Sequence, residues 1–201
     1  MSRLAAAVLA AGTGSRFGAV TKPLAPFAGE PLVLHATRAA LESGLAPVVV
    51  VVGHDAAAVT AVLPPEVEAV SNEGFASGIA SSLQCALRAL AARAVDGVVV
   101  GLADQPLVGA HAYQRVAAAY DDGARLAVAT YGGRRANPVL VGREHWAEAL
   151  ELTGDEGARV VMRRHPVVEV DCDGTGDPTD IDTPADLAAL EARWRSTTAS
   201  E

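Results

Sequence analysis

The stretch LAAAVLAAGTGSRFG, from Leu4 to Gly18, contains the signals that decide the fold. Its first seven residues are apolar without interruption, which is typical of a buried β-strand. A glycine-rich loop follows, and its glycines allow sharp turns and bring backbone N–H groups close to an anion. A buried strand ending in such a loop predicts an α/β sheet with a ligand site beyond the carboxyl end of the strand.

The rest of the chain alternates between strand and helix patterns. PVVVVVG (47–53) and DGVVVGLAD (96–104) predict two more buried strands. The last helix is expected to begin with Thr183 as N-cap and Pro184 as its first residue. Alternation of this kind predicts a mostly parallel sheet covered by helices on both faces. The other strand patterns are EVEAVSN, RLAVATY, NPVLVG and PVVEVD, and the other helix patterns begin near positions 31, 55, 78, 110, 143 and 156.

Composition restricts the class of protein. The chain has 201 residues and a formal net charge of -8, which disfavours nucleic acid and anionic membranes as partners. Its two cysteines lack CxxC spacing, so we expect no disulfide or zinc framework and a cytoplasmic location. We interpret the apolar start as a strand rather than a signal peptide. We expect one domain over residues 1–195 and a disordered tail over 196–201.

The glycine loop has two possible interpretations. Arg16 and Lys22 add positive charge beside Gly12, Gly14 and Gly18, which suits a phosphate. The spacing is GxGxxxG, which is neither the dinucleotide fingerprint nor a P-loop ending in GK[ST]. Taken alone, the loop is equally consistent with a plain glycine turn between a strand and a helix.

Three carboxylates are candidates for a magnesium site. Asp104 follows a buried strand in LADQP, and Mg²⁺ prefers one or two protein carboxylates together with substrate phosphates. Asp180 and Asp182 are two residues apart in DIDTP, so an extended backbone directs both to one face. One of this pair could complete a site with Asp104. The alternative is that all three are turn or helix-cap residues.

Further residues in polar segments have roles that the sequence alone does not decide. Gly78 and Ser82, in SNEGFASGIASSL, lie near the start of a predicted helix, where free N–H groups can bind an anion or only receive caps. Asp155 and Arg159 suit an anionic substrate but are not diagnostic. The five histidines show no metal-ligand spacing, so we expect them to be ordinary surface or core residues.

These motifs, in this order, resemble the MobA-like molybdenum-cofactor nucleotidyltransferases. The resemblance covers about residues 4–190 through LAAGxGxRFG, KPL, NEGFASGIASSL, LADQP, GDEGAR and DIDTPADL. The nearest subgroup is the cytidylyltransferases, because Ala11 in LAAG stands where the guanylyltransferase branch usually has glycine. The resemblance implies a Rossmann-like three-layer sandwich of the nucleotide-diphospho-sugar transferase type.

The resemblance also implies a reaction and its residues. CMP would be transferred from CTP to a molybdopterin-type cofactor with Mg²⁺ present, and a molybdoenzyme or chaperone could receive the product. Asp104 and Asp182 would bind the metal, and Arg16, Lys22 and Asp104 would be catalytic. The nucleotide-binding set would be Leu9, Ala10, Ala11, Gly12, Gly14, Arg16, Lys22, Asn72, Gly78 and Ser82.

Two departures from the family pattern leave the acceptor open. Asn137 stands where the family often has histidine, and Lys22 follows AVT rather than a glycine and an acidic residue. The family also includes a member described as reducing nicotine blue. The alternatives are therefore another nucleotide or phosphorylated acceptor, an NAD(P)H-dependent oxidoreductase, or a cofactor carrier without turnover.

Overall fold

The computed structural model describes residues 2–12, 14–18 and 20–198. Its strands are β1 (Leu4–Ala10), β2 (Pro26–Phe27), β3 (Glu30–Pro31), β4 (Val48–Val52), β5 (Glu68–Ser71), β6 (Gly97–Leu102), β7 (Leu107–Val108), β8 (Leu126–Tyr131), β9 (Arg134–Gly142), β10 (Val168–Asp171) and β11 (Gly176–Asp177). Its α-helices are α1 (Leu32–Glu42), α2 (Ala56–Val62), α3 (Ile79–Leu90), α4 (Ala110–Asp121), α5 (Trp146–Ala149), α6 (Ala158–Met162) and α7 (Pro184–Thr198).

A seven-stranded sheet organises the chain, and its order is β10-β8-β9-β6-β1-β4-β5. Parallel pairs join β1 to β4 and β6, β4 to β5, and β8 to β10. Strand β9 runs antiparallel to β6 and β8, so it is the exception in the mostly parallel sheet that the sequence predicts. The α/β class is confirmed.

Two apolar layers sandwich the sheet. Alternate side chains of β1 and β4 face opposite sides, as Val8 and Val50 lie in one cluster and Ala7 and Val51 in the other. The first cluster includes residues of α1, α2 and α4, and the second includes residues of α3, α5 and α6. Helices therefore cover both faces, and the three-layer expectation is confirmed.

The order in which strands are added to the sheet reverses at β1. The chain passes from β1 outward to β4 and β5, then returns to place β6 on the other side of β1. Such a switch point opens a crevice at the carboxyl ends of the two strands, because their connections leave on opposite sides. The glycine loop follows β1 and Asp104 follows β6, so both lie at this crevice.

A third apolar cluster supports the loops at the crevice. It joins Phe17 and Phe27, from the chain after β1, to Ile181 and to Leu190 of α7. Phe27 and Ile181 are fully buried, so the loops rest on a packed base. This base brings residues from the two ends of the chain together.

Several local expectations need correction. The helix patterns over 143–152 and 156–165 form only a short helical turn (Arg143–His145), α5 and α6. The pattern that begins at Asp55 predicts this residue as the N-cap of α2, but its carboxylate accepts from Thr21 Oγ1 and makes no capping bond. Strand β6 ends two residues before Asp104.

The C-terminal helix begins as predicted. Thr183 Oγ1 accepts from Asp186 N at 3.2 Å, and the Asp186 carboxylate accepts from Thr183 N at 2.8 Å, a reciprocal cap. Helix α7 extends to Thr198, and residues 199–201 of the predicted tail lie outside the described residues. The division at residue 195 stays a prediction. Within the described chain, no helix is both long and apolar enough to cross a membrane.

Candidate active site

The glycine loop turns directly out of β1. Gly14 has a φ of +54° and precedes a short helical turn, Ser15–Phe17, which is closed by Phe17 N donating to Gly14 O at 2.6 Å. A Cβ on Gly14 would lie 2.6 Å from Lys22 Cβ, so only glycine allows the loop to approach Lys22 this closely. Phe17 is buried in the third cluster, while Arg16 is exposed.

Lys22 joins the two predicted metal ligands. Its Nζ lies 2.7 Å from Asp104 Oδ2 and 2.9 Å from Asp182 Oδ1. The Lys22 side chain is 13% exposed, whereas Asp182 is 55% exposed, so the ammonium sits at the floor of the crevice. The sequence predicted Lys22 as a phosphate ligand, and the structure adds its bond to both carboxylates.

The ammonium of Lys22 is held in its charged form. Burial lowers the pKa of Lys22, but Asp104 and Asp182 raise it through charge and hydrogen bonds, and the net pKa lies above the usual lysine value. Lys22 therefore carries a full positive charge at physiological pH. A cation is already favoured at the point where the two carboxylates converge.

Asp104 also fits a divalent cation. Its Oδ2 bonds to Lys22, but its Oδ1 is buried and has no hydrogen-bond partner among the residues that the structure describes. A buried oxygen left in this way costs about 1–3 kcal/mol. Carboxylate oxygens are the ligands that Mg²⁺ and Mn²⁺ prefer, so a metal ion at Oδ1 would satisfy it. The donor set of Asp104 and Asp182 therefore fits the predicted metal, and their role as its ligands stays a prediction.

The structure separates the roles of Asp180 and Asp182. Asp182 shares Lys22 with Asp104, whereas Asp180 Oδ1 accepts from Gln105 Nε2 at 2.8 Å. Burial, followed by the charge of Asp104, raises the pKa of Asp180. Ile181 lies buried between them and donates its N–H to Asp104 O at 2.9 Å. Asp182, and not Asp180, is thus the carboxylate that converges with Asp104 on Lys22.

Gln105 is a positioning residue that sequence reasoning missed. It is 3% exposed, its Nε2 also bonds to Pro178 O at 3.0 Å, and its Oε1 accepts from Asn137 Nδ2 at 3.2 Å. These bonds tie the LADQP loop to the DIDTP segment and to β9. The sequence signal for it is its position directly after Asp104, at the end of a buried strand.

Eight predicted residues line one cleft of about 420 Å³, which we call the glycine-loop cleft. Its charged lining comprises two cations and three carboxylates, a formal charge of -1. A divalent cation would reverse that sign and make the cleft attractive to a polyphosphate. Asp155, which the sequence left undecided, is the third carboxylate. The eight predicted residues are Leu9, Ala10, Gly12, Gly14, Arg16, Lys22, Asp104 and Asp182.

A second cavity of about 320 Å³ continues from this cleft, and we call it the helix-start pocket. Ala11, Gly78 and Ser82 line it, so three more predicted residues lie at the site. Asn72 does not line it, because its buried side chain donates to Ser81 Oγ at 2.8 Å and Ser82 Oγ at 3.1 Å. Asn72 therefore supports the first turn of α3 through these hydrogen bonds and does not face the pocket.

A third cavity of about 230 Å³, the apolar pocket, lies beside the other two. Leu83, Val100 and Val139 form its walls, and Asn137, Arg159 and Asp180 supply polar groups. It shares Leu9 and Asp155 with the glycine-loop cleft and the helix-start pocket, so the three cavities form one continuous site.

Gly78 is where a side chain would do most damage to the site. Its φ is +106°, and a Cβ there would lie 2.2 Å from Gly154 O, which also accepts from Ala80 N at 3.1 Å. We expect Gly78→Ala to reduce the free energy of unfolding in urea by about 2 kcal/mol more than Gly123→Ala. Gly123 has a φ of +101° but open space around it, so it controls for backbone strain. Equal losses would contradict the close contact.

The family comparison agrees with this geometry. Residues 6–170 match the MobA-like NTP transferase domain. Nicotine blue oxidoreductase of Paenarthrobacter nicotinovorans is 33% identical over 187 residues, which are 88% of this chain and 90% of that protein. The bifunctional protein GlmU of a Bradyrhizobium strain is 38% identical over 162 residues, which are 79% of this chain but only 34% of GlmU.

Solved structures show the same fold. Rv0371c from Mycobacterium tuberculosis superimposes with a TM-score of 0.84 and 29% identity, covering 95% of this chain and 98% of that one. The same protein has been solved in complex with manganese, with a TM-score of 0.81 and 27% identity over 95% of this chain and 99% of that one. The fold is that of a nucleotidyltransferase family.

Proposed function

We propose a specific nucleotidyl transfer for this chain, which belongs to the MobA-like NTP transferase family. CTP donates CMP to the phosphate of a molybdopterin-type cofactor. An acceptor oxygen forms a bond to the α-phosphorus, the bond from that phosphorus to the bridging oxygen breaks, and pyrophosphate leaves with its electron pair. The observation that carries the proposal is the convergence of Asp104, Asp182 and Lys22 at the glycine loop.

The residues of the cleft divide the work of binding. Backbone N–H groups of the glycine loop and the exposed Arg16 hold the triphosphate, and Lys22 adds a point charge beside it. Asp104 and Asp182 would hold the divalent cation, which supplies neutralisation of the phosphate charge when bound. Positioning and charge dominate this chemistry, since phosphoryl-type transfer needs little covalent help from the protein.

The helix-start pocket and the apolar pocket have separate roles in this proposal. Ala11 is among the residues that line the helix-start pocket, and its methyl group would leave less space for a base than a glycine there. This favours cytosine over the larger guanine, in line with the LAAG resemblance. The apolar pocket, with Asn137 beside its aliphatic walls, suits a flat heterocycle as acceptor. Arg159 would pair with an anionic group of that acceptor, against the charges of Asp155 and Asp180 in the same lining.

One screen tests the proposal. The purified chain is incubated with CTP, GTP, ATP or UTP, with Mg²⁺ or EDTA, and with or without molybdopterin, and pyrophosphate is measured. We expect release only when CTP, Mg²⁺ and molybdopterin are all present. Release with another nucleotide would revise the donor, and no release under any condition would refute nucleotidyl transfer.

The second candidate function is that of an oxidoreductase, because one relative of this chain is an oxidoreductase. Nicotine blue oxidoreductase matches 88% of this chain, which favours an NAD(P)H-dependent reduction on the same fold. The GxGxxxG spacing disfavours it, because it departs from the dinucleotide fingerprint. Consumption of NAD(P)H with nicotine blue, without pyrophosphate release from any nucleotide, would support this candidate. Tight molybdopterin binding without turnover would instead support a carrier.

A further inference from the structure

A second group of metal-ligating side chains lies away from the cavities. His145, Glu148 and His165 each direct one ligand atom toward the others, and the three atoms lie within 4.8 Å of one another. His145 and Glu148 are three residues apart at the start of α5, which puts them on one helical face. His165 comes from the chain just after α6, so two separate segments contribute.

We propose that His145, Glu148 and His165 form a binding site for a zinc-class transition-metal ion. Two imidazoles and one carboxylate, with water as the fourth ligand, are a common donor set for tetrahedral Zn²⁺. Nitrogen donors favour Zn²⁺, Ni²⁺ or Cu²⁺ over Mg²⁺, which prefers oxygen. The site therefore differs in chemistry from the Asp104 and Asp182 pair.

The geometry needs only small adjustments to close around an ion. His165 Nε2 is hydrogen-bonded to Glu148 Oε2 at 2.5 Å, so the two atoms must separate to the distance of about 3.3 Å between tetrahedral Zn²⁺ ligands. The two imidazole rings are tilted, with centroids 4.5 Å apart. Arg164 Nη1 lies 3.0 Å from Glu148 Oε1, but its side chain is 60% exposed and approaches from outside. All three donors are partly exposed, so water and an ion can reach them.

The histidine cluster and the glycine-loop cleft lie at opposite ends of the strands of the sheet. Gly142, at the end of the antiparallel β9, pairs with Gly97 at the start of β6, and His145 follows directly. Asp104 follows the other end of β6, six residues of strand away, or about 20 Å. The two metal sites can therefore be occupied independently.

A metal ion here would join both ends of one segment. Between His145 and His165 the chain passes over α3, where Gln84 Nε2 donates to Leu150 O at 2.9 Å and Leu152 O at 2.8 Å. The same segment supplies Asp155 to all three cavities. Coordination by both His145 and His165 would tie together the two ends of this segment. It would therefore reduce the conformational freedom of the unfolded chain and stabilise the fold.

The test measures zinc binding to the whole chain without an affinity tag. Calorimetry in millimolar Mg²⁺ keeps the carboxylate site occupied, and we expect one Zn²⁺ per chain with a micromolar or tighter Kd. His145→Ala, His165→Ala and Glu148→Gln are each expected to weaken binding by about 10–100-fold. His111→Ala, which removes an exposed histidine of α4, is the matched control and should bind as the wild type does.

Thermal unfolding gives an independent readout. Zn²⁺ at about 100 times its Kd is expected to raise the Tm by about 5–10 °C in the wild type and in His111→Ala. The His145→Ala/His165→Ala double variant, checked for wild-type circular dichroism, should show no such rise. Equal zinc affinity in wild type and double variant would overturn the proposal and leave the cluster as a simple ion pair.

Discussion

Asp104→Asn is expected to lower the rate of CTP-dependent pyrophosphate release by about 10³-fold and to leave the fold intact. The amide removes the negative charge that a divalent cation requires, while it keeps the shape of the carboxylate and leaves the buried Oδ1 position without a partner among the described residues. Stability should change by only about 1 kcal/mol, because the amide oxygen can still accept from Lys22 and the buried position is unpaired in both proteins. Pyrophosphate assays and urea unfolding measure the two effects.

Asp177→Asn is the matched control for this substitution. Asp177 belongs to the same C-terminal segment as Asp182, but it lies outside the glycine-loop cleft and its carboxylate accepts from Thr179 N at 2.9 Å. This variant should keep full activity, since its amide oxygen can still accept that bond. An Asp104→Asn protein that retains wild-type turnover would remove Asp104 from the catalytic machinery.

Local patterns predicted the sheet well because its strands are determined by burial. Strands β1, β4 and β6 are almost wholly apolar, and only a strand covered on both faces has that composition in a chain with ordinary charge. The antiparallel direction of β9 was not predictable from its pattern. Direction depends on where the chain leaves β8, and that is a property of the tight turn at residues 132–133.

The sequence predicted which candidate residues lie together better than it predicted the contacts between them. The resemblance located the glycine loop, Asp104 and Asp182, and their shared edge followed from the parallel strands. That Lys22 lies between the two carboxylates could not be read from the sequence, because the contact depends on Phe17 and Ile181 packing beneath them. Likewise, His145 and His165 are 20 positions apart, and only the fold of α5 and α6 brings them together.

Lys22→Met is expected to have two opposite effects. Transfer should fall by about 10²–10³-fold, because a cation beside the developing phosphate charge is lost. The affinity of the nucleotide-free chain for Mn²⁺ should rise by about tenfold or more. The ammonium lies 2.7 Å and 2.9 Å from the two carboxylates, so in the wild type an incoming metal ion must displace it or share its partners. Calorimetry with Mn²⁺ and the pyrophosphate assay separate the effects.

Arg16→Met is the control that separates loss of a cation from the cleft from loss of the ion pairs with Asp104 and Asp182. Arg16 lines the same cleft but, among the described ion pairs, is bonded to neither Asp104 nor Asp182. It should therefore lose activity while its Mn²⁺ affinity stays at the wild-type value. If Lys22→Met and Arg16→Met bind Mn²⁺ equally, the ammonium does not compete for the metal site. If only Lys22→Met binds more tightly, the Lys22 ammonium competes with the metal ion for the two carboxylates.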